Sequence, residues 1–208
     1  MRLAAAAVAV VLAGTAGCGG AKADAEGCTD VDRPELRTPA ERDAPTRRLD
    51  PRQTHTVRFE TNCGAFTVTL EPRTSPRATA SVYTLAKDGF YDDVAFHRIV
   101  RGFVIQGGDP TGTGGGGPGY TTIDPPPPST EYVRGTVAMA KTATEPRGAA
   151  GSQFFVVTAP TVGLARDYAV IGHVSDGLEV VLRIGSFGDR TEVPTKRVVI
   201  EHAVAKSS

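Results

Sequence analysis

The chain has 208 residues, of which 40% are hydrophobic, and its formal net charge is zero. This length allows one domain with a buried core plus appendages, and the neutral balance argues against nucleic acid as a partner, because phosphates require a basic face. The 24 glycines and 15 prolines favour a fold with many turns over a helical one.

Residues 1–17 have the pattern of a signal peptide. The apolar run Leu3–Ala13 follows Arg2; it falls within the ~7–15 residues of a secretory core and is shorter than the ~20 that span a bilayer. GTAGC, which ends at Cys18, resembles the lipobox of bacterial lipoproteins, although Thr15 stands where that pattern usually has leucine. We therefore expect lipid on Cys18 and anchoring at the outer face of a bacterial cell membrane; the alternative is a secreted protein cut nearby.

The remaining cysteines favour export. If Cys18 carries lipid, Cys28 and Cys63 are left as an even pair. An even pair in an oxidising compartment predicts a disulfide. This bond would fasten the N-terminal segment to the domain.

Residues 18–54 predict a flexible tether ahead of a domain that spans 55–206. From Ala21 to Thr54 the chain is charged and shows no apolar period. Four prolines interrupt it, at Pro34, Pro39, Pro45 and Pro51.

The domain begins with a predicted hairpin and helix. HTVRFET and AFTVTLE alternate with a period of two and are separated by Asn62–Gly64, which predicts two paired strands. In the helix that follows, Ser75 can cap the first turn, Pro76 suits that turn, and Gly89 ends the helix.

The rest of the chain predicts further strands and a second helix near Leu178–Ile184. The predicted strands are VAFHRIV, GFVIQGG, GTVAMAK, QFFVVT, AVIGHV and KRVVIEHAV. About eight strands with two helices are enough for a sheet to close on itself and remove its edges. The fold prediction is a mainly β protein built on a closed eight-stranded antiparallel barrel.

Three familiar chemistries are disfavoured. GTGGGG at residues 112–117 satisfies G-x-G-x-x-G, but a proline-rich stretch follows where a dinucleotide site needs the start of a helix. The histidines show no metal-ligand spacing. Ser152, His97 and Asp109 would make a triad on paper, yet no Gly-x-Ser-x-Gly turn exposes the serine. We expect no metal and no cofactor.

One group of residues suits peptide binding. Arg98, Phe103 and Gln106 lie on strands joined at a tight turn, and Gln153 precedes the phenylalanines at 154–155. A guanidinium, two amides and phenyl rings suit a peptide with one apolar ring and backbone groups to bond. By spacing alone, Arg98 is more often a solvated charge on a strand.

A family resemblance changes that balance. FHRIVRGFVIQGGDPTGTGGGGPGY, followed by GTVAMA and GSQFF, resembles the cyclophilin family of peptidyl-prolyl isomerases from about His55 to Val204. The resemblance implies an eight-stranded barrel capped by two helices, with the site on its outer face. It also implies cis-trans isomerisation of X-Pro bonds in exported polypeptides, as assistance to folding.

The resemblance assigns roles to matching positions. Arg98 would be catalytic and His97 a structural neighbour. The substrate-binding positions would be Phe103, Val104, Gln106, Ala140, Gln153, Phe155, Leu164 and Tyr168.

Several positions depart from the family pattern. Val104 replaces the commoner methionine, Lys141 an asparagine, Tyr168 a histidine and Ile171 a phenylalanine, while Gly163 falls where an aromatic often precedes the leucine. We expect weak cyclosporin binding, since that aromatic normally forms a wall for the drug. Nanomolar inhibition in a peptide assay would contradict this expectation.

The functional prediction is thus a peptidyl-prolyl cis-trans isomerase with proline-containing polypeptides as partners. The alternative is a scaffold or holdase that binds proline segments without turnover. The sequence does not identify client proteins, and nothing in it requires more than a monomer.

Overall fold

The computed structural model describes residues 23–38 and 41–208. The predicted signal peptide (1–17) and the predicted lipid-attachment residue Cys18 lie outside the described residues. Within the described part of the chain, no helix is both long enough and apolar enough to cross a bilayer.

A β-hairpin opens the domain, as the alternating pattern predicts. Strand β1 spans His55–Thr61 and pairs antiparallel with β2, Gly64–Leu70. Alternate residues of the hairpin are buried, among them Phe59 on β1 and Phe66 on β2, whose rings stack with centroids 5.2 Å apart. The apolar residues that recur at every second position of the sequence are therefore the ones that the hairpin buries.

Two helices lie at the predicted places among the described residues. Helix α1 spans Pro76–Lys87 and α2 spans Leu178–Gly185. Ser75 occupies the N-cap position of α1, but its hydroxyl makes no capping hydrogen bond. The Asp124 carboxylate caps the helix instead, accepting hydrogen bonds at 2.7 Å from the backbone N–H of Arg77 and of Ala78.

The remaining strands follow in chain order. They are β3 (Val94–Ala95), β4 (Arg98–Val100), β5 (Val104–Gly107), β6 (Thr122–Ile123), β7 (Tyr132–Val133), β8 (Thr136–Met139), β9 (Ala149–Ala150), β10 (Phe154–Val157), β11 (Thr161–Val162), β12 (Val170–Asp176) and β13 (Val199–Ser207). Strands β6 and β9 form one small pair, and β7 and β11 form another. These four have two residues each, which is too short to show a period in the sequence.

The main sheet has nine strands in the order β3-β13-β1-β2-β12-β8-β10-β5-β4. Its end strands, β3 and β4, are separated along the chain only by Phe96 and His97, so the sheet curls until its ends lie near each other. The predicted count of eight strands and the predicted closure are not confirmed, because the hydrogen bonds among the described residues leave β3 and β4 as edges. VAFHRIV was predicted as one strand, but it pairs with β13 before Phe96 and with β5 after His97.

The curled sheet is apolar on both faces where β5 and β10 meet. Ile105 and Val156 point into the main core, which both helices cover. Val104 and Phe155 belong to a second apolar cluster on the outer face. Successive side chains of a strand alternate between faces, so a run such as FFVV on β10 is buried on both sides.

A disulfide ties the residues before the domain to the first hairpin. Cys28 and Cys63, 35 residues apart in the chain, are bonded as predicted. The Thr29 N–H donates to the backbone oxygen of Asn62 at 2.7 Å, and the Asn62 side-chain amide returns a hydrogen bond to the backbone oxygen of Thr29, also at 2.7 Å. The bond is thus accompanied by local pairing of the two chain segments.

Later residues of this N-terminal segment contact the prolines that flank the glycine-rich loop, residues 112–117. The backbone N–H of Arg37 donates to the oxygen of Pro110, and that of Arg42 to the oxygen of Pro118, both at 3.0 Å. The described residues before His55 contain no helix or strand, in keeping with the absence of an apolar period. They nevertheless lie against the domain at several points.

Candidate active site

One row of side chains crosses the outer face of the sheet. In the strand pairing, Arg98 on β4 stands opposite Gln106 on β5. Gln106 stands opposite Phe155 on β10, which in turn faces Ala138 on β8. Residues directly opposite one another project to the same face, with Cβ atoms about 4.5–5.5 Å apart. The tight turn between β4 and β5 therefore brings Arg98 and Gln106 together, as the sequence predicts.

A chain of hydrogen bonds fixes the polar side chains of the row. Arg98 Nη1 donates to Gln106 Oε1 at 3.2 Å, and Gln106 Nε2 donates to Gln153 Oε1 at 3.1 Å. Gln153 Nε2 then donates to the backbone oxygens of Gly114 and Gly116, at 2.9 and 3.0 Å. Each amide is oriented by its neighbours, so the guanidinium is held at one end of a connected network.

The glycine-rich loop, residues 112–117, is built around one carboxylate. Asp109 is 1% exposed and accepts hydrogen bonds from the backbone N–H groups of Thr111 (2.7 Å), Gly114 (2.6 Å) and Gly116 (3.1 Å). Burial by itself raises the pKa of the Asp109 carboxyl, but the hydrogen bonds from Thr111, Gly116 and Gly114 outweigh it and hold that pKa below its ordinary value. The loop's N–H groups thus bind a protein carboxylate, and no helix begins where a dinucleotide would need one.

The lowered pKa of Asp109 predicts a pH-dependent contribution to stability. The charged carboxylate stabilises the fold above its unfolded pKa of ~3.9, and this contribution is lost as the pH falls through the lower folded value. Asp109→Asn should lower the free energy of unfolding by about 1–3 kcal/mol at neutral pH. Unfolding curves recorded at pH ~7 and ~3 should show a smaller difference between variant and parent at the lower pH. A difference that does not change with pH would contradict this role.

An apolar socket adjoins the row on the same outer face. We use that name for the second apolar cluster, which contains Phe103, Val104, Tyr132, Ala138, Ala140, Phe155, Val157, Leu164 and Tyr168. The rings of Phe155 and Tyr168 meet edge to face with centroids 5.4 Å apart. The structure therefore gathers every predicted apolar site residue into one cluster.

A polar cleft lies beside the socket. It has a volume of about 550 Å³, and Gln106, Ala140 and Gln153 are among its lining residues. The Ala140 N–H donates to the backbone oxygen of Gln153 at 2.8 Å, which fixes the two walls relative to each other. Lys141 Nζ lies 5.8 Å from the centroid of the Tyr168 ring, at the side where the cleft approaches the socket. An extended peptide could therefore lie along the cleft with one of its residues against the apolar cluster.

Tyr132 is a socket residue that the sequence reasoning missed. Its ring is 6.5 Å from Phe155 and 6.1 Å from Tyr168, centroid to centroid. Its hydroxyl donates to the backbone oxygen of Tyr168 at 2.9 Å and accepts from the N–H of Tyr168 at 3.1 Å. Tyr132 thus holds the segment that carries Tyr168 in place. The sequence could not predict this role, because Tyr132 lies on a strand of only two residues, which shows no pattern.

Glu192 is the second residue missed, and it contacts the arginine directly. Its Oε2 accepts a hydrogen bond from Arg98 Nε at 2.7 Å. The two residues are 94 positions apart in the chain, so no local pattern links them.

His97, for which the resemblance predicts a structural role beside Arg98, lies half-buried next to the glycine-rich loop. Its ring lies against Gly114, and its Nδ1 has no hydrogen-bond partner among the described residues. Burial lowers the pKa of the imidazole, with Asp109 opposing and Arg98 reinforcing the effect. This shift favours the neutral form of His97 beside Arg98.

The arrangement offers a fixed cation at the edge of an apolar cluster, with amide groups beside it. No group of three His, Cys, Asp or Glu side chains that could hold a metal ion occurs in the described ranges. What the site provides is binding and hydrogen-bond donation on the outer face of a mainly β domain with two helices.

Comparison with known proteins identifies the family. The model of the cyclophilin type peptidyl-prolyl cis-trans isomerases matches residues 56–205. The peptidyl-prolyl cis-trans isomerase CYP18-2 of Arabidopsis thaliana is 38% identical over 146 residues, which are 69% of this chain and 89% of that protein. The isomerase ppi1 of Schizosaccharomyces pombe is 37% identical over 152 residues, 72% of this chain and 97% of that one.

Solved structures agree with the sequence comparison. The crystal structure of a cyclophilin type isomerase from Cryptosporidium parvum has a TM-score of 0.68 and 34% identity, and the match covers 74% of this chain and 99% of that one. The structure described as that isomerase in the presence of the dipeptide Ala-Pro has a TM-score of 0.67 at 33% identity. This chain belongs to the cyclophilin family of peptidyl-prolyl cis-trans isomerases.

Proposed function

We propose that this protein accelerates cis-trans rotation of X-Pro bonds in exported polypeptides, with Arg98 as the group that stabilises the twisted bond. The observation that carries the proposal is the placement of a fixed guanidinium on the row that borders the apolar socket. The names of the relatives and the Ala-Pro dipeptide reported with a related structure support the same substrate class.

The chemistry requires differential binding of a distorted amide. The cis and trans forms of X-Pro differ by only ~0.5–1 kcal/mol, but the barrier between them is ~20 kcal/mol. Resonance produces the barrier, because the nitrogen lone pair is delocalised into the carbonyl group. Halfway through the rotation the pair is localised on a pyramidal nitrogen. A donor aimed at that nitrogen stabilises the twisted state more than either planar state, which lowers the barrier.

Arg98 can be that donor. The guanidinium stays charged at all relevant pH values and is planar. Arg98 Nη1 donates to Gln106 and Arg98 Nε donates to Glu192, while Arg98 Nη2 forms no hydrogen bond with any described residue. The side chain is therefore held in place while one of its nitrogens is left for substrate. No covalent intermediate and no proton transfer is required.

The other site residues bind and orient the peptide. Phe103 and Phe155 contact the pyrrolidine ring, Val104 and Leu164 belong to the same apolar cluster, and the apolar surface of this cluster keeps water away from the rotating bond. The amides of Gln106 and Gln153 hydrogen-bond the peptide backbone. Ala140 contacts the residue before proline, and Tyr168 closes the socket.

An isomerisation assay on a short Ala-Pro peptide tests this function. The purified full chain should increase the rate of cis-trans relaxation above the uncatalysed rate. Peptide binding without a change in that rate would support the holdase or scaffold function instead. A chain that neither binds the peptide nor accelerates relaxation would contradict both.

We also propose that the protein is a bacterial lipoprotein whose domain (55–206) acts outside the cell membrane. Support comes from the apolar run Leu3–Ala13, the small residues before Cys18, and the Cys28–Cys63 disulfide, which suits an oxidising compartment. Mass spectrometry of the mature N-terminus should find residue 18 as the first residue, with the mass of attached lipid. Expression of Cys18→Ala is the matched control and should leave an unlipidated protein. A mature chain that starts elsewhere without lipid would favour secretion.

A further inference from the structure

The loop that carries Glu192 is rigidly built. Asp189 Oδ1 accepts hydrogen bonds from the backbone N–H of Thr191 at 2.7 Å and from that of Val193 at 3.0 Å. The backbone oxygen of Glu192 accepts from the N–H of Ile99 at 3.0 Å, one residue from Arg98. Hydrogen bonds therefore hold the loop in one conformation and also attach it to strand β4 next to Arg98.

Glu192 has a backbone conformation that favours glycine. Its φ is +67°, in the left-handed region where a residue with a Cβ is strained. Strain of this kind persists where the surrounding structure imposes it, and it concentrates at functional sites. A glycine would fit this position with less strain, so the presence of glutamate points to a task for its side chain.

Net stabilisation by the ion pair is not a sufficient explanation. The Arg98 and Glu192 side chains are 36% and 47% exposed, and pairs this exposed contribute little to folding stability. The geometry, by contrast, is specific. The carboxylate takes Nε at 2.7 Å while Gln106 takes Nη1 at 3.2 Å, so contacts from two different elements fix the plane of the guanidinium.

We propose that Glu192 is a positioning residue for isomerisation, which orients the Arg98 guanidinium so that its free nitrogen faces the prolyl nitrogen. This inference rests on the proposed function of Arg98. Without the carboxylate, the guanidinium keeps one side-chain partner and can rotate about its terminal bonds. While the peptide is bound, the guanidinium is then in an unproductive orientation for part of the time. Peptide binding depends on the socket and the amides, so it should be little affected.

Glu192→Gly is the sharpest test because it removes the side chain and relieves the backbone strain together. The variant should be as thermally stable as the parent, yet its kcat for an Ala-Pro peptide should fall about tenfold with KM nearly unchanged. Glu192→Gln keeps an acceptor oxygen and should restore most of the rate. Asp93→Gly is the matched control, since Asp93 is an exposed acid at φ +58° outside the site, and it should leave kcat at the parent value. Parent kcat in Glu192→Gly would overturn the proposal.

Two further readouts separate this proposal from the proposed function. In an Arg98→Ala background, Glu192→Gly should produce no additional loss, whereas an equal loss in both backgrounds would show that Glu192 acts independently of the arginine. In the parent, the Arg98 Nε–H proton should have a chemical shift different from that of a solvent-exposed arginine and should exchange slowly with water. In Glu192→Gly its chemical shift and exchange rate should be those of an exposed arginine. An unchanged signal would overturn the positioning role even if isomerase activity is present. A parent protein without isomerase activity would overturn the function, whatever the signal shows.

Discussion

Arg98→Ala is expected to lower kcat for a short Ala-Pro peptide by about 100-fold or more, because loss of one preorganised donor to a transition state typically costs 10²–10³ in rate. Each ~1.4 kcal/mol of lost stabilisation is a factor of ten. The affinity for the peptide should change only a few-fold, since the socket and the two glutamine amides remain. Arg98→Lys keeps the charge but not the planar fork that contacts Gln106 and Glu192, so it should restore only part of the rate.

Arg101→Ala is the matched control for this experiment. Arg101 lies at the turn of the same hairpin, and its guanidinium donates to the backbone oxygen of Ser186 rather than to the site. This variant should retain the parent rate in both the peptide assay and a refolding assay limited by proline isomerisation. Equal activity of Arg98→Ala and parent in those assays would contradict the assignment of Arg98.

Loss of the Cys28–Cys63 disulfide is expected to lower the free energy of unfolding by about 3–4 kcal/mol. The bond closes a separation of 35 residues, and in the chain-entropy model a loop of that length gives a stabilisation of this size. Both cysteines are buried, so alanine replaces them without leaving a polar group unpaired. Urea unfolding of the oxidised parent and of the double Cys28→Ala, Cys63→Ala variant measures the difference.

The single variants provide the control for the disulfide. Cys28→Ala and Cys63→Ala should each lose nearly as much stability as the double variant, because either change removes the same bond. Reduction of the parent should have a similar effect. If the double variant unfolds at the same urea concentration as the parent, the bond contributes nothing to the stability of the domain.

Much of the fold could be predicted because patterns of neighbouring residues determine where its strands and helices form. The alternation in HTVRFET matches β1, and the proline at the start of α1 and the apolar run of α2 mark both helices. The same reasoning failed at VAFHRIV, a mainly apolar run that predicts one strand although the chain passes there from one edge of the sheet to the other. Val94, Phe96 and Ile99 are its buried residues, so the period of burial shifts at His97 and Arg98. Hydrophobic alternation reports which face a residue occupies, not which strand it pairs with.

The site divides in the same way between local and distant contacts. Arg98 and Gln106 could be placed together because a tight hairpin fixes their register. Glu192 and Tyr132 could not, because they reach the site from segments far away in the chain. The capping of α1 by Asp124 in place of Ser75 has the same origin, since the acceptor comes from a loop 46 residues away from Ala78.

The central claim is that the Arg98 guanidinium stabilises the twisted prolyl amide rather than the bound peptide. Exchange NMR spectroscopy of an Ala-Pro peptide in the presence of the protein measures this most directly, because it reports the rate of interconversion on the protein and the binding affinity separately. The account predicts that Arg98→Ala binds the peptide with nearly parental affinity but interconverts the bound cis and trans forms far more slowly. An unchanged rate of interconversion on the variant would contradict it.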